Sequence, residues 1–471
     1  MTTSRLGGRV SDRSSVDLSR HRPHLTCALQ AANWVLDVAI TTESGCKWPV
    51  YAGSTEQTRD IFQGQAGIIL FLLECFAAVG EPAYLEGAAR GADDLLASIG
   101  TEPSVGLYSG LAGIGLALLH MYRVTGEPRY AVAMRECITL LEAHAERSGD
   151  GVRIVAPVPT ELADVAKGAS FYPYDLVFGS AGIGLFLLEA SVSDSDGRPS
   201  DLVDGLARHL LSAAIHDPNG MTWELGYGIR SNMPNFAHGS AGVIYFLASC
   251  YLRTGDAACL DAAIAGAGFL ANATWHDDDV SFLPVTLPSS TGRSGRFVPR
   301  YSQSWAHGAI GTSRMWLRLY EATADIVWLE CMRRGARGVL SQCIPPQIAP
   351  NLERSTAHSW NAGAPAEAGL FLGIYRATGD ARWLHLARLR FEDVMAHAVV
   401  ADSRAFWPSV GSHPNLAPGF VGLKDGAAGV GLHLLYFDGA EHGRELSVVL
   451  PDDPFSRIEL AANHADRHPD A

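Results

Sequence analysis

Three residues able to move protons stand at comparable places in this chain. Asp175 lies four residues before Gly179, His238 immediately before Gly239, and His307 immediately before Gly308. Histidine, with a reference pKa of about 6.5, is suited to taking up and returning a proton near neutral pH, and a carboxylate can act as a base itself. Groups of a size to shape a binding site stand close by: Tyr174 beside Asp175, Trp305 two residues before His307, and Asn361 further along. Each also has a structural reading. Asp175 can cap a helix, either histidine can be a satisfied loop residue, and Trp305 can belong to the core.

The elements that must position these residues form a repeat. Gly-x-x-Gly segments begin at Gly64, Gly110, Gly179, Gly239, Gly308 and Gly426; a seventh, "APAEAGLFLGIY", carries Ala368-Gly369 and lacks its first glycine. Each opens an apolar stretch of helical length. Turns such as "VGEPAY", "TGEPRY", "TGDAAC" and "TGDARW" come next, and then a more amphipathic helix. An inner helix that is apolar all round needs neighbours on both sides, so about seven such hairpins predict an all-α fold closed into an α/α toroid. An open solenoid is the rival, but the terminal repeats show no polar caps. In a closed ring the residues just before each first glycine would surround one end of a central cavity. The chemically capable groups cluster in three consecutive motifs: "YDLVFG", "PNFAHG" and "SQSWAHG".

The bulk composition excludes several classes. The chain has 471 residues, 47% hydrophobic and 18% charged, with a net charge of −14. Nucleic acid and anionic membranes reward clustered positive charge and are poor partners for it. Eight scattered cysteines form neither a disulfide framework nor a zinc ribbon, which fits a reducing cytoplasm. The Arg/Ser-rich N-terminus has no apolar signal region, and no apolar run is long enough to span a membrane. The expected layout is a flexible segment 1–25, a toroid over 26–440 and a polar tail over 441–471.

The hairpins, together with "YDLVFGSAGIG", "NFAHGSAGV" and "SWAHG", resemble the lanthionine synthetase C-like cyclases over about residues 30–437. That resemblance implies the same α/α toroid. It also implies an enzyme that adds cysteine thiols of a ribosomally made precursor peptide to dehydroalanine or dehydrobutyrine, forming thioether rings. By the same resemblance Asp175 and His238 match the family's acid/base residues, and Trp305 matches the tryptophan of its Trp-Cys-Tyr-Gly motif. Family members hold zinc with that cysteine and with a later Cys-His pair. Here the first position is Ala306. The later pair falls on Ala364 and Pro365, or, with the gap placed differently, on Asn361 and Ala362.

Zinc needs three Cys, His or carboxylate ligands around an open position, so no zinc and no other cofactor is expected at this place. An unassisted cysteine has a pKa of about 8.5, so another group must activate it. His307 or Asp175 is the candidate base, with His238 protonating the enolate carbon; Tyr174, Trp305 and Asn361 are candidate substrate contacts. His358, near the degenerate motif, is a further candidate to face the cavity. The expectation is a zinc-independent cyclase whose dehydrating kinase and lyase are separate proteins. The alternative is a non-catalytic scaffold that binds the precursor or those enzymes. A glycosidase on the same toroid would need two positioned carboxylates, and the motif positions offer only Asp175 and Asp425.

Overall fold

The computed structural model describes residues 22–158, 170–193, 197–226, 233–277, 279–287, 299–341, 358–408 and 419–455. Their fourteen α-helices fall into two rings. The inner ring comprises α2 (Gln65–Val79), α4 (Leu111–Thr125), α6 (Ser180–Ser193), α8 (Ser240–Thr254), α10 (Ala309–Thr323), α12 (Ala364–Thr378) and α14 (Ala427–His442). The outer ring comprises α1 (Pro23–Asp37), α3 (Pro82–Leu96), α5 (Pro128–Ala143), α7 (Arg198–Ser212), α9 (Ala257–Ala273), α11 (Ile326–Ser341) and α13 (Ala381–Ala396). Consecutive inner helices pack side by side, and α14 packs against α2, closing the circle.

Four of the inner helices end in the same way. Gly80, Gly126, Gly255 and Gly379 take left-handed dihedrals at the C-cap, and the amide of each closes the last turn. The next residue is the N-cap of the outer helix. Pro82 and Pro128 then fill a first-turn position that needs no N–H, while Asp256 and Asp380 accept from Ala258 N and Arg382 N. The Thr-Gly-Asp/Glu turn is thus one cap followed directly by another. Five antiparallel two-stranded hairpins, which the helical periodicity does not predict, follow α1, α5, α7, α9 and α13.

Three expectations are corrected. First, the seventh repeat does keep its first glycine. Gly363 caps α12 with φ 74°, ψ −158°, close to the φ 89°, ψ −162° of Gly308, so the repeat aligns on Gly363 rather than on Ala368-Gly369. Second, among the described residues no outer helix follows α14. Its partner is α1, from the other end of the chain. Helix α1 starts at Pro23, inside the segment expected to be flexible, and residues 1–21 lie outside the described residues.

Third, the chain beyond 440 is not a polar tail as far as Phe455. Arg444 turns back from the end of α14 and pairs with the buried Glu74 of α2, whose carboxylate also accepts from the amides of Ser447 and Val448. The segment then runs up the lumen, and Pro451 to Phe455 are buried there. Two buried charges of the inner helices, Glu74 and Arg314, therefore meet the C-terminal strap: Arg314 reaches Asp453 Oδ1 at 3.4 Å. Residues 456–471 lie outside the described residues.

Candidate active site

The residues before each first glycine form a loop folded tightly against its own helix. An α-helix starts with N–H groups that lack intrahelical partners, and here carbonyls of the preceding loop satisfy them. Ser180 N and Ala181 N donate to Pro173 O and Tyr174 O, Ser240 N and Ala241 N to Met233 O and Pro234 O, and Gly311 N to Ser304 O. The approach is close enough to dictate glycine. A Cβ on Gly182 would lie 1.9 Å from Leu176 O, and one on Gly311 1.9 Å from Trp305 O.

Neighbouring loops are joined into one girdle by backbone hydrogen bonds. Phe62 N donates to Tyr108 O, Tyr108 N to Val177 O, Leu176 N to Ala237 O, Ala237 N to Ala306 O, Trp305 N to Asn361 O, Asn361 N to Lys424 O, and Lys424 N back to Phe62 O. The residue two before each first glycine thus lies on the girdle. The residue three before it (Leu176, Phe236, Trp305 or Trp360) is buried. The residue immediately before the glycine is where Phe178, His238 and His307 stand.

Within this frame Asp175 and His238 meet. Nδ1 of His238 lies 2.7 Å from Asp175 Oδ2; the carboxylate is fully buried, and the imidazole keeps 26% of its exposure. A carboxylate can only accept, so Nδ1 carries the hydrogen and Nε2 is left with the lone pair. Phe178 stacks on the ring at 5.3 Å. The other oxygen of Asp175 accepts from Phe178 N at 2.8 Å. Asp60, Ser304 and Ser359 make the same turn-closing contact in their own loops, to the amides of Gln63, His307 and Ala362. Asp175 is therefore both a loop cap, through Oδ1, and the partner of His238, through Oδ2.

His307 sits 6.3 Å from His238, ring centre to ring centre. Burial, with smaller contributions from His238 and Arg300, pushes it down to about 4, and its Nδ1 is buried without a hydrogen bond. It is neutral at pH 7, but as a base it is weak.

The remaining predicted residues divide. Asn361 lies beside the site, where its side-chain oxygen accepts from Ala306 N at 3.3 Å, the amide that the girdle bypasses. Trp305, expected as a substrate wall, is instead 1% exposed and belongs to an aromatic core with Phe62, Tyr108, Phe236 and Trp360. Tyr174 is likewise buried and packs edge-on against His209 of the outer ring. His358 turns outward, onto His397 at the end of α13.

Sequence reasoning missed Asp452, which reaches the underside of the site. It accepts from Tyr108 Oη at 2.6 Å and from Trp305 Nε1 at 3.0 Å. Arg314, a buried charge on inner helix α10, is the signal that could have pointed to a buried acidic partner.

With Gly363 as the repeat's glycine, the positions that the family resemblance assigns to zinc are Ala306, Asn361 and Ala362. Two methyl groups and a carboxamide already bonded to the backbone are not a donor set for zinc. These residues do not fit the metal.

A family model described as lanthionine synthetase C-like protein matches residues 55–448. Among solved structures the chain is similar to nisin cyclase, with TM-score 0.60 and 16% identity, covering 90% of this chain and 95% of that one. It also aligns with the GH76A α-1,6-mannanase of Salegentibacter sp. HEL1_6, with TM-score 0.47 and 10% identity, covering 89% of this chain and 99% of that one. No curated protein sequence matches. No helix among the described residues is long and apolar enough to cross a membrane. The family match over most of the chain agrees with the seven-hairpin toroid and its glycine-capped loops, and the protein belongs to the lanthionine synthetase C-like family.

Proposed function

We propose that this protein is a zinc-independent peptide cyclase. It would add cysteine thiols of a ribosomally made, dehydrated precursor across the double bonds of dehydroalanine or dehydrobutyrine. The observation that carries this reading is the Asp175–His238 pair on the girdle of loops, with Nε2 of a partly exposed imidazole free to exchange a proton.

The addition is redox-neutral. His238 Nε2 takes the thiol proton, the thiolate bonds to the β-carbon, and the imidazolium returns the proton to the α-carbon of the enolate. The buried Asp175 carboxylate orients the ring and faces the charge that develops on it. Assigning both proton movements to His238 departs from the sequence expectation, which gave the thiol to His307 or Asp175. Both oxygens of Asp175 are engaged and out of reach of solvent. A base of pKa about 4 at His307 would take a thiol proton uphill by about 6 kcal/mol. Without a metal, alignment of the tethered thiol and alkene supplies much of the acceleration. The separate kinase and lyase that would dehydrate the precursor belong to this proposal.

The test is to incubate the protein with dehydrated precursor, with and without chelator, and count the remaining thiols by alkylation. Ring formation should be indifferent to chelator and strongly reduced in His238→Asn. Chelator sensitivity contradicts the metal-free reading, and an undiminished H238N variant sinks the assignment of His238. No ring formation by the wild-type protein under either condition favours a scaffold that binds precursor, the reading to which the lost donor set also points.

A further inference from the structure

His358, by sequence only a further candidate to face the cavity, belongs to a different cluster. It lies on the outer side of the loop running through Ser359, Trp360 and Asn361 to Gly363, which it meets in an isolated antiparallel bridge. Facing it are Asp393 and His397, one turn apart at the C-terminal end of α13. One potential ligating atom from each of the three residues lies within 4.8 Å of the other two. The imidazoles of His358 and His397 are 4.6 Å apart, centre to centre. Asp393 and His397 are exposed, so an ion can reach the cluster from solvent.

We propose that His358, Asp393 and His397 form a binding site for a divalent transition metal, zinc being the ion that their chemistry suits best. Two imidazoles and a carboxylate make a borderline donor set, which selects zinc and its late first-row neighbours over magnesium or calcium. Tetrahedral zinc with bonds of about 2 Å holds its ligand atoms about 3.3 Å apart, so a side-chain adjustment of about 1.5 Å closes the triad. The surroundings favour a cation. The last carbonyls of α13 present the negative end of the helix, and Nδ1 of His397 donates to the carbonyl of Asp393 at 2.8 Å, which holds the ring at the helix end. Three protein ligands on a solvent-facing rim leave the fourth position for water or an external ligand.

This site is distinct from the positions Ala306, Asn361 and Ala362. It lies between outer helix α13 and the loop, and a bound ion would tie that helix to the strand of chain carrying Asn361 on the girdle. It does not depend on the proposed cyclase activity.

The experiment uses tag-free full-length protein stripped with chelator. Zinc is titrated by calorimetry and cobalt(II) by its visible absorption, in the wild type and in His358→Gln, Asp393→Asn and His397→Gln. One equivalent should bind saturably, cobalt should show the absorption of a low-coordinate site with nitrogen ligands, and zinc should raise the melting temperature. Each variant should weaken binding about tenfold or more; circular dichroism identical to wild type confirms that the variant is folded. Two results overturn the proposal: no saturable metal uptake by the wild type, or uptake that D393N and H397Q leave unchanged. The latter would leave the pair as a surface Asp–His contact at 3.5 Å.

Discussion

Asp175 carries two tasks that one substitution can separate. Because Ser304 and Ser359 close the same turn in other loops, Asp175→Ser should keep the loop cap while removing the partner of His238. We expect the variant to fold with a stability loss of about 1 kcal/mol and ring formation to slow by about a hundredfold or more, the scale of acid–base assistance. Urea denaturation and a thiol-alkylation time course check the two halves, and a variant that cyclises at the wild-type rate would show that the pair is structural. At His307 the prediction concerns pH. Its folded pKa of about 4 lies below the ordinary value of about 6.5. Between those values the unfolded chain binds a proton that the folded chain does not, so stability rises with pH across that window and is lost as pH falls through it. The contribution is at most about 3 kcal/mol. Urea denaturation at pH 4.5 and 7 should show a smaller pH difference in His307→Gln than in wild type. Some acid sensitivity should persist, because burial also pushes His433 down to about 3.

The glycines that recur along the chain fall into two kinds at the level of the element. At Gly182 an added Cβ would meet Leu176 O at 1.9 Å, a backbone atom that cannot swing away. Gly182→Ala should therefore part the loop from α6 and cost about 3 kcal/mol or more, with loss of the Asp175 geometry. Gly126 caps α4 at φ 70° with nothing within 4 Å of its missing Cβ. Gly126→Ala should cost only about 1 kcal/mol, the left-handed penalty alone. Ala324 at φ 55° already occupies the equivalent cap of α10. Thermal denaturation of the two variants side by side checks the contrast. The repeated Gly-x-x-Gly was legible as a helix start, but its reason is the carbonyl lying against it.

The whole molecule depends on the chain's two ends. Helix α1 supplies the outer partner of α14, and the strap 444–455 fills the lumen up to the floor of the site. Asp452→Ala would leave Tyr108 Oη and Trp305 Nε1 without their acceptor and take one carboxylate from beside Arg314. We expect it to cost about 3–5 kcal/mol, the scale of breaking a buried charged network, and a truncation after Gly443 to cost more. Urea midpoints measure both, and a truncated protein as stable as wild type would show the strap to be an ornament on a self-sufficient ring.

The sequence alone determined the repeat, the inner and outer helices and the toroid, and it singled out Asp175, His238 and His307 as candidates for the proposed chemistry. Those features are written in short-range signals: apolar period, paired glycines, and turn residues between helices. What the tertiary structure decided depends on partners far apart in the chain. Asp175 and His238 touch only because adjacent loops are tied into the girdle. Trp305 turns inward because ring closure brings Tyr108, Trp360 and the strap together behind it. The seventh glycine is Gly363, identified by the carbonyls and amides around it, since its second glycine has become Ala366. Periodicity shows that a helix has an apolar face, whereas the residue that covers it is chosen only when the ring closes.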